Sequence, residues 1–212
     1  MFIIKTFVFG PFQENTYVLS NNSKDCIIID PGCYFDEEHQ QLIDYIKQND
    51  LHPKYLLNTH CHLDHVFGNK KIAETYQLTL HIHPFEKKLL DYAPTSGLMY
   101  NVPFDNYEGE IIYLEEATNI ALGNDMLHVM LTPGHSPGSL SFYCKAQGFV
   151  VSGDVLFESS IGRTDLPGGD HATLIQSIQE KLMTLPDETL VYSGHGNTTT
   201  IGAEKKENPY LK

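Results

Sequence analysis

Short apolar stretches separated by turn-forming residues dominate the chain. Three of them near the start predict strands at 2–9, 15–20 and 25–30, with turn clusters at Gly10-Pro11 and Asn21-Asn22-Ser23 between them. The same criteria predict further strands at 55–58, 78–82, 111–113, 118–121, 126–132, 139–144, 148–152 and 189–193. No internal repeat, low-complexity segment or linker divides the sequence, so we expect one domain spanning residues 1–212.

Helical signals follow several of these strands. The predicted helices begin at Asp36 (ending before Pro53), at about 66 (ending at 76), at Pro84 and after Asp170. Asp36 and Asp170 are the expected N-caps of the first and last of them. The apolar stripe of the last helix consists of Leu174, Ile175, Ile178 and Leu182. Strands followed by helices, twice along the chain, predict two sheets with helices on their outer faces.

Residues 93–109 form the longest segment without a clear period. Such segments are often lids or binding loops. Its apolar residues can either wall a pocket or fix the loop to the core, and the sequence leaves both possibilities open. These residues are Met99, Tyr100, Phe104 and Tyr107.

Charge and the length of the apolar runs exclude several classes of partner. The chain has 27 Asp and Glu against 14 Lys and Arg, a net charge of −13, which disfavours nucleic acid and anionic membranes. Its longest apolar runs, such as Cys26 to Ile29, cover about four residues, far fewer than the roughly 20 of a membrane span. Met1 to Gly10 lack the features of a secretion signal, so a cytoplasmic protein is expected. The four cysteines are irregularly spaced and expected to be reduced.

The strongest chemical signal is the string His60-Cys61-His62-Leu63-Asp64-His65. In a loop between a strand and a helix, an i, i+2 pair and an adjacent pair can point in different directions. That arrangement suits two neighbouring metal ions better than one. Histidine and carboxylate are the expected ligands of zinc. The alternation that brings His60 and His62 together should turn Cys61 away from the metals.

Three more residues of the metal-binding type, His135, Asp154 and His195, lie beside Gly or Pro just after predicted strands. Small or rigid neighbours let the backbone turn sharply and expose a side chain at a sheet edge. With the first cluster they predict a metal site. His81 and His83 share one face of a strand but have no acidic neighbour, so we expect them to be structural or surface residues outside the site.

Together these motifs resemble those of the metallo-β-lactamase superfamily, and within it the short, single-domain glyoxalase II-like hydrolases. The matching segments extend over nearly the whole chain. They are Asn15-Thr-Tyr-Val-Leu19, Ile29-Asp-Pro-Gly32, Thr59-His-Cys-His-Leu-Asp-His65, Thr132-Pro-Gly-His-Ser-Pro-Gly-Ser139, Ser152-Gly-Asp-Val-Leu-Phe157, Ser160-Ile-Gly-Arg-Thr-Asp-Leu-Pro-Gly169, Gly194-His-Gly196, Thr200-Ile-Gly202 and Asn208-Pro-Tyr210. The resemblance implies an αββα sandwich, in agreement with the two sheets and outer helices predicted above.

The resemblance also implies a site for two divalent metal ions, with zinc favoured and iron or manganese as alternatives. It assigns His60, His62 and His135 to one metal, Asp64, His65 and His195 to the other, and Asp154 to a bridge between them. Asp64 and Asp154 would thereby be the catalytic carboxylates.

The implied reaction is hydrolysis of a thioester such as a hydroxyacylglutathione by metal-bound hydroxide. A thiol with a pKa near 8.5 can leave without a proton donor. Arg163, the only arginine, resembles in class the basic residue that contacts glutathione in glyoxalase II enzymes, although a salt bridge with Asp165 is its alternative role. Because the chain stops 17 residues after His195, no C-terminal glutathione-binding helical domain is expected.

Other activities known among similar sequences stay open. A persulfide dioxygenase shares the H-x-H-x-D-H string and a Gly-Arg-Thr-Asp segment but binds a single iron, and a lactonase or esterase would use the same two-metal site. β-Lactam hydrolysis is disfavoured, because such enzymes generally lack an aspartate at the position of Asp154 and work outside the cytoplasm. The charge argues against a nuclease. A non-enzymatic metal-binding protein is a third class, the expected partner is a small-molecule substrate, and the oligomeric state is open.

Overall fold

Two six-stranded sheets form the centre of the fold in the computed structural model, which describes residues 1–212. The strands of the first sheet, in spatial order, are β1 (Ile3–Phe9), β2 (Glu14–Ser20), β3 (Asp25–Ile29), β4 (His52–Leu57), β5 (Leu80–Ile82) and β6 (Ile111–Tyr113). The later strands are β7 (Asn119–Leu122), β8 (Asp125–Leu131), β9 (Leu140–Cys144), β10 (Phe149–Gly153), β11 (Leu156–Phe157), β12 (Ser160–Ile161), β13 (Leu190–Ser193) and β14 (Thr199–Thr200). The second sheet has the order β14-β13-β10-β9-β8-β7, and β11 pairs with β12 as a separate hairpin.

The helices lie between these strands in sequence. They are α1 (Asp36–Gln48), α2 (Leu63–Val66), α3 (Asn69–Tyr76), a 3-10 turn (Pro84–Glu86) leading into α4 (Lys87–Met99), α5 (His171–Ser177) leading into a π-helical turn (Ile178–Leu182), and α6 (Ile201–Glu207). None of them combines the length and the apolar character that crossing a lipid bilayer requires.

Alternation along the central strands produces the layers. Ile28 belongs to an apolar cluster shared with α1, α3 and α4, whereas its neighbours Ile27 and Ile29 pack against the second sheet. In the second sheet, Val151 faces the first sheet and Val150 packs under α5 and α6. Successive strand residues point to opposite faces, so one continuous apolar run can serve two cores. The result is the predicted αββα sandwich.

The prediction of a loop throughout 93–109 is wrong, because α4 continues through Pro94 to Met99. A proline inside a helix removes one backbone hydrogen bond and frees the carbonyl four residues earlier. Here the Leu90 carbonyl accepts a hydrogen bond from Asn106 Nδ2 at 2.7 Å. This replacement, made by a residue 16 positions away in sequence, lets the helix pass the proline.

The chain folds back immediately after α4. Gly97 permits the close approach, because a Cβ atom there would lie 2.7 Å from the Val102 carbonyl oxygen. The returning segment packs Phe104 and Tyr107 against the first core, and these two side chains therefore fix the segment. One further difference concerns a helix end: α1 starts at Asp36, but the capping side chain is Glu38, whose Oε2 accepts from the Phe35 N–H at 3.1 Å.

The expected N-cap of α5 is confirmed, since Asp170 Oδ1 accepts from the Thr173 N–H at 2.7 Å. The β11–β12 hairpin, β14 and α6 were not anticipated. All four cysteines are free, buried thiols, as expected.

Parallel pairing places the chemically interesting residues at one edge. β3 pairs in parallel with β4, and β10 pairs in parallel with β13. Because the carboxyl ends of parallel strands meet at the same edge, the segments after β3, β4, β10 and β13 come together there. The turn between β8 and β9, which carries His135, joins them.

Candidate metal centre

Seven side chains from four segments converge at this edge, and they are the seven singled out in the sequence. The first group is His60, His62 and His135, whose ligand atoms lie within 4.8 Å of one another. His135 Nε2 is 2.8 Å from His62 Nδ1 and 3.2 Å from His60 Nε2. Three imidazole nitrogens this close, all turned to one point, form a typical three-histidine metal set.

The second group is Asp64, His65 and His195. Asp64 Oδ2 lies 3.1 Å from His195 Nε2 and 3.8 Å from His65 Nε2. The short helix α2 supplies Asp64 and His65, and the turn after β13 supplies His195. One carboxylate and two imidazoles again form a set suited to a divalent cation.

Asp154 lies between the two groups. Its Oδ1 is 3.4 Å from His65 Nε2 in the second group, and its Oδ2 is 3.6 Å from His135 Nε2 in the first. A carboxylate with one oxygen toward each set is placed to link two cations.

The hydrogen-bond inventory tests whether a cation fits. Asp154 Oδ1 and His65 Nε2 are buried and, although they lie 3.4 Å apart, form no hydrogen bond with each other or with any other group. An unpaired buried polar atom is costly, and native proteins rarely leave one without reason. Both atoms lie among the clustered donor atoms, so the residues present fit divalent metal ions.

Burial favours the neutral, metal-binding form of His60 and His62, whereas for His65 and His195 burial is outweighed by the neighbouring carboxylates, which raise the pKa. Burial, together with the neighbouring histidines, holds the pKa of His60 well below its usual range, and burial lowers the pKa of His62 to about 3. For Asp154, burial acts to raise the pKa, but the charge of His65 outweighs it and holds the pKa well below the usual range. Neutral imidazole and ionised carboxylate are the forms that bind metal.

The ring nitrogens that face away from the centre also have partners. The His60 ring lies 3.1 Å from Thr59 Oγ1, and the His65 ring lies 3.1 Å from Asp30 Oδ2. The His135 ring lies 2.8 Å from the Arg163 carbonyl oxygen, and the His195 ring lies 3.3 Å from the Gln13 carbonyl oxygen. Such contacts fix the orientation of metal-binding imidazoles and raise their basicity.

Asp30, for which the sequence pattern predicts no role, contacts the donors from outside the two sets. Besides its contact with His65, it accepts hydrogen bonds from the Thr59 N–H at 2.7 Å and from Asn58 Nδ2 at 3.1 Å. Asp30 therefore orients the His65 ring and the backbone at Thr59, which leads into His60. The sequence contains one sign of this role: in Ile29-Asp30-Pro31-Gly32, a carboxylate directly follows the apolar strand β3. An acidic side chain at that position must be buried.

Glu86 is a second residue that the sequence did not reveal. Its Oε2 accepts from the Cys61 N–H at 2.8 Å, and its Oε1 accepts from Ser136 Oγ and the Gly138 N–H, both at 2.7 Å. Burial raises the pKa of Glu86, while the three hydrogen bonds act in the opposite direction. This one carboxylate joins the loop of His60 and His62 to the loop of His135.

We expect Glu86→Gln to weaken metal binding by the three-histidine group about 10–100-fold, the usual cost of losing an outer-shell partner. A glutamine amide would place N–H groups against donors that now face a carboxylate oxygen. Zinc titration of the metal-free protein measures the effect, with the melting temperature recorded in parallel. Glu74→Gln, on the exposed face of α3, is the matched control, and unchanged zinc affinity in Glu86→Gln would refute the role.

The other histidines singled out in the sequence lie apart from these sets. His81 is buried, and its Nδ1 lies 2.9 Å from the Thr79 carbonyl oxygen. His83 is also buried, and its Nδ1 accepts from the Phe85 N–H at 3.3 Å at the start of the 3-10 turn. Neither belongs to a group of metal-type ligands. Cys61 is buried and likewise belongs to no such group.

An open cleft of about 760 Å³ is lined by five of the seven donors, all except the fully buried His60 and His65. Met99 and Tyr100, at the end of α4, line it, as does Arg163. The Arg163 side chain forms two hydrogen bonds with Asp165, at 2.6 and 2.7 Å. The salt bridge considered from the sequence is thus present, and the backbone of Arg163, through His135, supports the site.

An αββα sandwich with histidines and aspartates gathered at one edge of its sheets defines a class of metal-dependent hydrolases. Residues 9–195 match the model of the metallo-beta-lactamase superfamily. The chain belongs to this superfamily and is a metallo-hydrolase, which confirms the resemblance inferred from the motifs.

Two curated relatives match almost the full chain. The probable metallo-hydrolase YqgX of Bacillus subtilis is 40% identical over 204 residues, which cover 95% of this chain and 94% of the relative. The hydroxyacylglutathione hydrolase GloC of Haemophilus influenzae is 37% identical over 210 residues, covering 94% and 93%.

Two solved structures are similarly close. The BLEG-1 B3 metallo-beta-lactamase is 40% identical with a TM-score of 0.91, and the alignment covers 99% of this chain and 100% of that one. TTHA1623, crystallised in a di-iron-bound form, is 35% identical with a TM-score of 0.89 and coverage of 98% and 100%. The expectation against β-lactam hydrolysis must therefore be weighed against a close relative that is named as a β-lactamase.

Proposed function

We propose that this protein is a binuclear metal-dependent hydrolase that cleaves thioesters. The observation that carries the proposal is the pair of three-residue donor sets with Asp154 between them. When bound, two adjacent divalent cations lower the pKa of a shared water, so that hydroxide is available at neutral pH, and their charge stabilises an oxyanion.

The residues of the chain have separable tasks in this proposal. His60, His62 and His135 hold one cation, Asp64, His65 and His195 hold the other, and the ionised Asp154 reduces the repulsion between them. Zinc is the metal that this mixture of imidazole and carboxylate favours, and iron is the alternative that the di-iron form of TTHA1623 supports.

The leaving group favours a thioester over an amide. A thiol with a pKa near 8.5 departs as a thiolate near neutral pH, whereas an amine must first receive a proton. The name of GloC supports hydroxyacylglutathione as the reference thioester. The name of BLEG-1 supports β-lactam hydrolysis as a second candidate.

A panel of substrates tests the proposal. The zinc-loaded protein is assayed with a hydroxyacylglutathione, a neutral thioester, an oxygen ester, a lactone, a cephalosporin and a persulfide. We expect the highest kcat/KM for a thioester, and chelation of the metal should abolish that activity. A higher kcat/KM for the cephalosporin would favour β-lactam hydrolysis. Oxygen-dependent turnover of the persulfide would show that the protein is a dioxygenase and not a hydrolase.

Arg163 and Asp165 give a prediction about anionic substrates. Because the Asp165 carboxylate accepts two hydrogen bonds from the Arg163 guanidinium, Asp165→Asn should leave that guanidinium free to bind a substrate carboxylate. The variant should therefore have a higher kcat/KM for a glutathione thioester. In that background, Arg163→Ala should lower kcat/KM at least about tenfold, the value of a charge-assisted contact. In the wild-type background, Arg163→Ala should lower kcat/KM by a smaller factor than in the Asp165→Asn background.

The four proteins of this cycle are assayed with glutathione and neutral thioesters, and their zinc content is measured. Equal losses for both substrates would show that Arg163 supports its loop and does not contact the substrate.

A further inference from the structure

Apolar side chains make up a large part of the walls of the cleft above the metal centre. Ten of its 22 lining residues are hydrophobic. Along α4, Leu89, Tyr92 and Ala93 face the cleft at the i, i+3, i+4 spacing of one helical face, and Met99 follows near the end of the helix. This face ends at Tyr100.

Two further aromatic side chains line the cleft, Phe12 and Phe157. Phe12, from the turn between β1 and β2, meets the Tyr100 ring edge-on at 6.0 Å between centroids. Phe157, from β11, lies 6.4 Å from the His195 ring. Aromatic rings from several elements around the donors form a surface that binds apolar groups by excluding water.

Outside the metal donors, only two charged residues line the cleft, and each has a polar partner. Arg163 is held by Asp165. Glu158 accepts a hydrogen bond from Asn197 Nδ2 at 2.9 Å through its Oε2. No lysine lines the cleft. Away from the metal donors, a substrate carboxylate placed in this cleft would lose water without gaining an unpaired cationic side chain, and such burial is unfavourable.

We propose that the preferred substrate is an uncharged thioester with a bulky apolar group, aromatic or branched, and not a conjugate of glutathione, which carries two carboxylates. The inference rests on the proposed thioester hydrolysis and narrows its substrate class. It departs from the substrate in the name of GloC.

Three substrates separate the contributions of charge and apolar contact. They are S-phenylacetyl-N-acetylcysteamine, S-acetyl-N-acetylcysteamine and S-phenylacetylglutathione. Burying the phenyl ring should give the first an advantage in kcat/KM of at least about tenfold over the second. Because the carboxylates of glutathione would remain unpaired in the cleft, S-phenylacetyl-N-acetylcysteamine should also exceed S-phenylacetylglutathione in kcat/KM by about tenfold.

Neighbouring residues of α4 provide a matched pair of variants. Met99 and Leu98 are similarly exposed, at 73% and 68%, but only Met99 lines the cleft. Met99→Lys should reduce the preference for the neutral over the glutathione thioester several-fold, by about the value of one surface charge pair or more. Leu98→Lys should leave the preference unchanged.

Binding is measured independently of turnover by calorimetry with two non-hydrolysable thioethers, S-phenethyl-N-acetylcysteamine and S-phenethylglutathione. Tighter binding of the neutral thioether supports the inference, and equal or tighter binding of the glutathione thioether overturns it. Equal kcat/KM for all three thioesters also overturns it while leaving thioester hydrolysis intact. If no thioester is hydrolysed, the proposed function fails, and the thioether affinities alone decide the nature of the cleft.

Discussion

Asp154→Ala is expected to lower kcat for thioester hydrolysis at least about a hundredfold, the typical effect of losing one well-placed electrostatic group in an active site. Its two oxygens lie 3.4–3.6 Å from histidines of both donor sets, so its removal leaves adjacent dications without a shared anion. We also expect fewer than two metals per chain after dialysis. Both effects are measured by steady-state kinetics and by elemental analysis of the same preparation.

The matched control is Asp105→Ala, which removes an exposed carboxylate outside the cleft. It should retain wild-type kinetics and metal content. An Asp154→Ala protein with two metals and near-normal turnover would contradict the bridging role.

His60→Ala is expected to abolish measurable activity. The side chain is fully buried and supplies one of three nitrogens of the first donor set, so alanine leaves a cavity and an incomplete coordination sphere. His81→Ala tests specificity, because His81 is another buried histidine outside both sets. It should cost about 1 kcal/mol of stability through a lost hydrogen bond but retain the metals and most of the activity.

Metal analysis, kinetics and thermal unfolding of both variants make the comparison. Loss of a metal in His81→Ala would show that the assignment of ligands is wrong. Retention of activity in His60→Ala would also show that the assignment of ligands is wrong.

The parts of this protein that sequence reasoning predicts best are those fixed by local pattern. Continuous apolar runs such as Cys26 to Ile29 identify central strands, and the spacing of His60, His62, Asp64 and His65 identifies side chains that the fold brings together in groups able to hold a metal ion. Glycine and proline around His135 correctly mark a sharp turn at a sheet edge.

Predictions failed where distant contacts override a local signal. Pro94 ends a helix by local rules, but Asn106 replaces the lost hydrogen bond of Leu90. The roles of Asp30 and Glu86 are invisible in sequence for the same reason. Glu86 accepts from residues 25 to 52 positions away, and only the folded chain brings them together.

In the proposed function two cations act together on a thioester, whereas the alternative enzyme uses a single iron and consumes oxygen. The structure contains donors for both ions, which a one-iron site held by two histidines and an aspartate would not require. The spacing of Asp154 between the sets is the feature that distinguishes a linked pair from two independent sites.

The most direct test is to measure metal content, thioester hydrolysis and oxygen uptake on one preparation while metal is added stepwise to the metal-free protein. We predict that thioester hydrolysis reaches its maximum at two metals per chain, with no oxygen uptake in the presence of a persulfide. Full activity at one iron per chain, accompanied by oxygen consumption with a persulfide, would contradict this account.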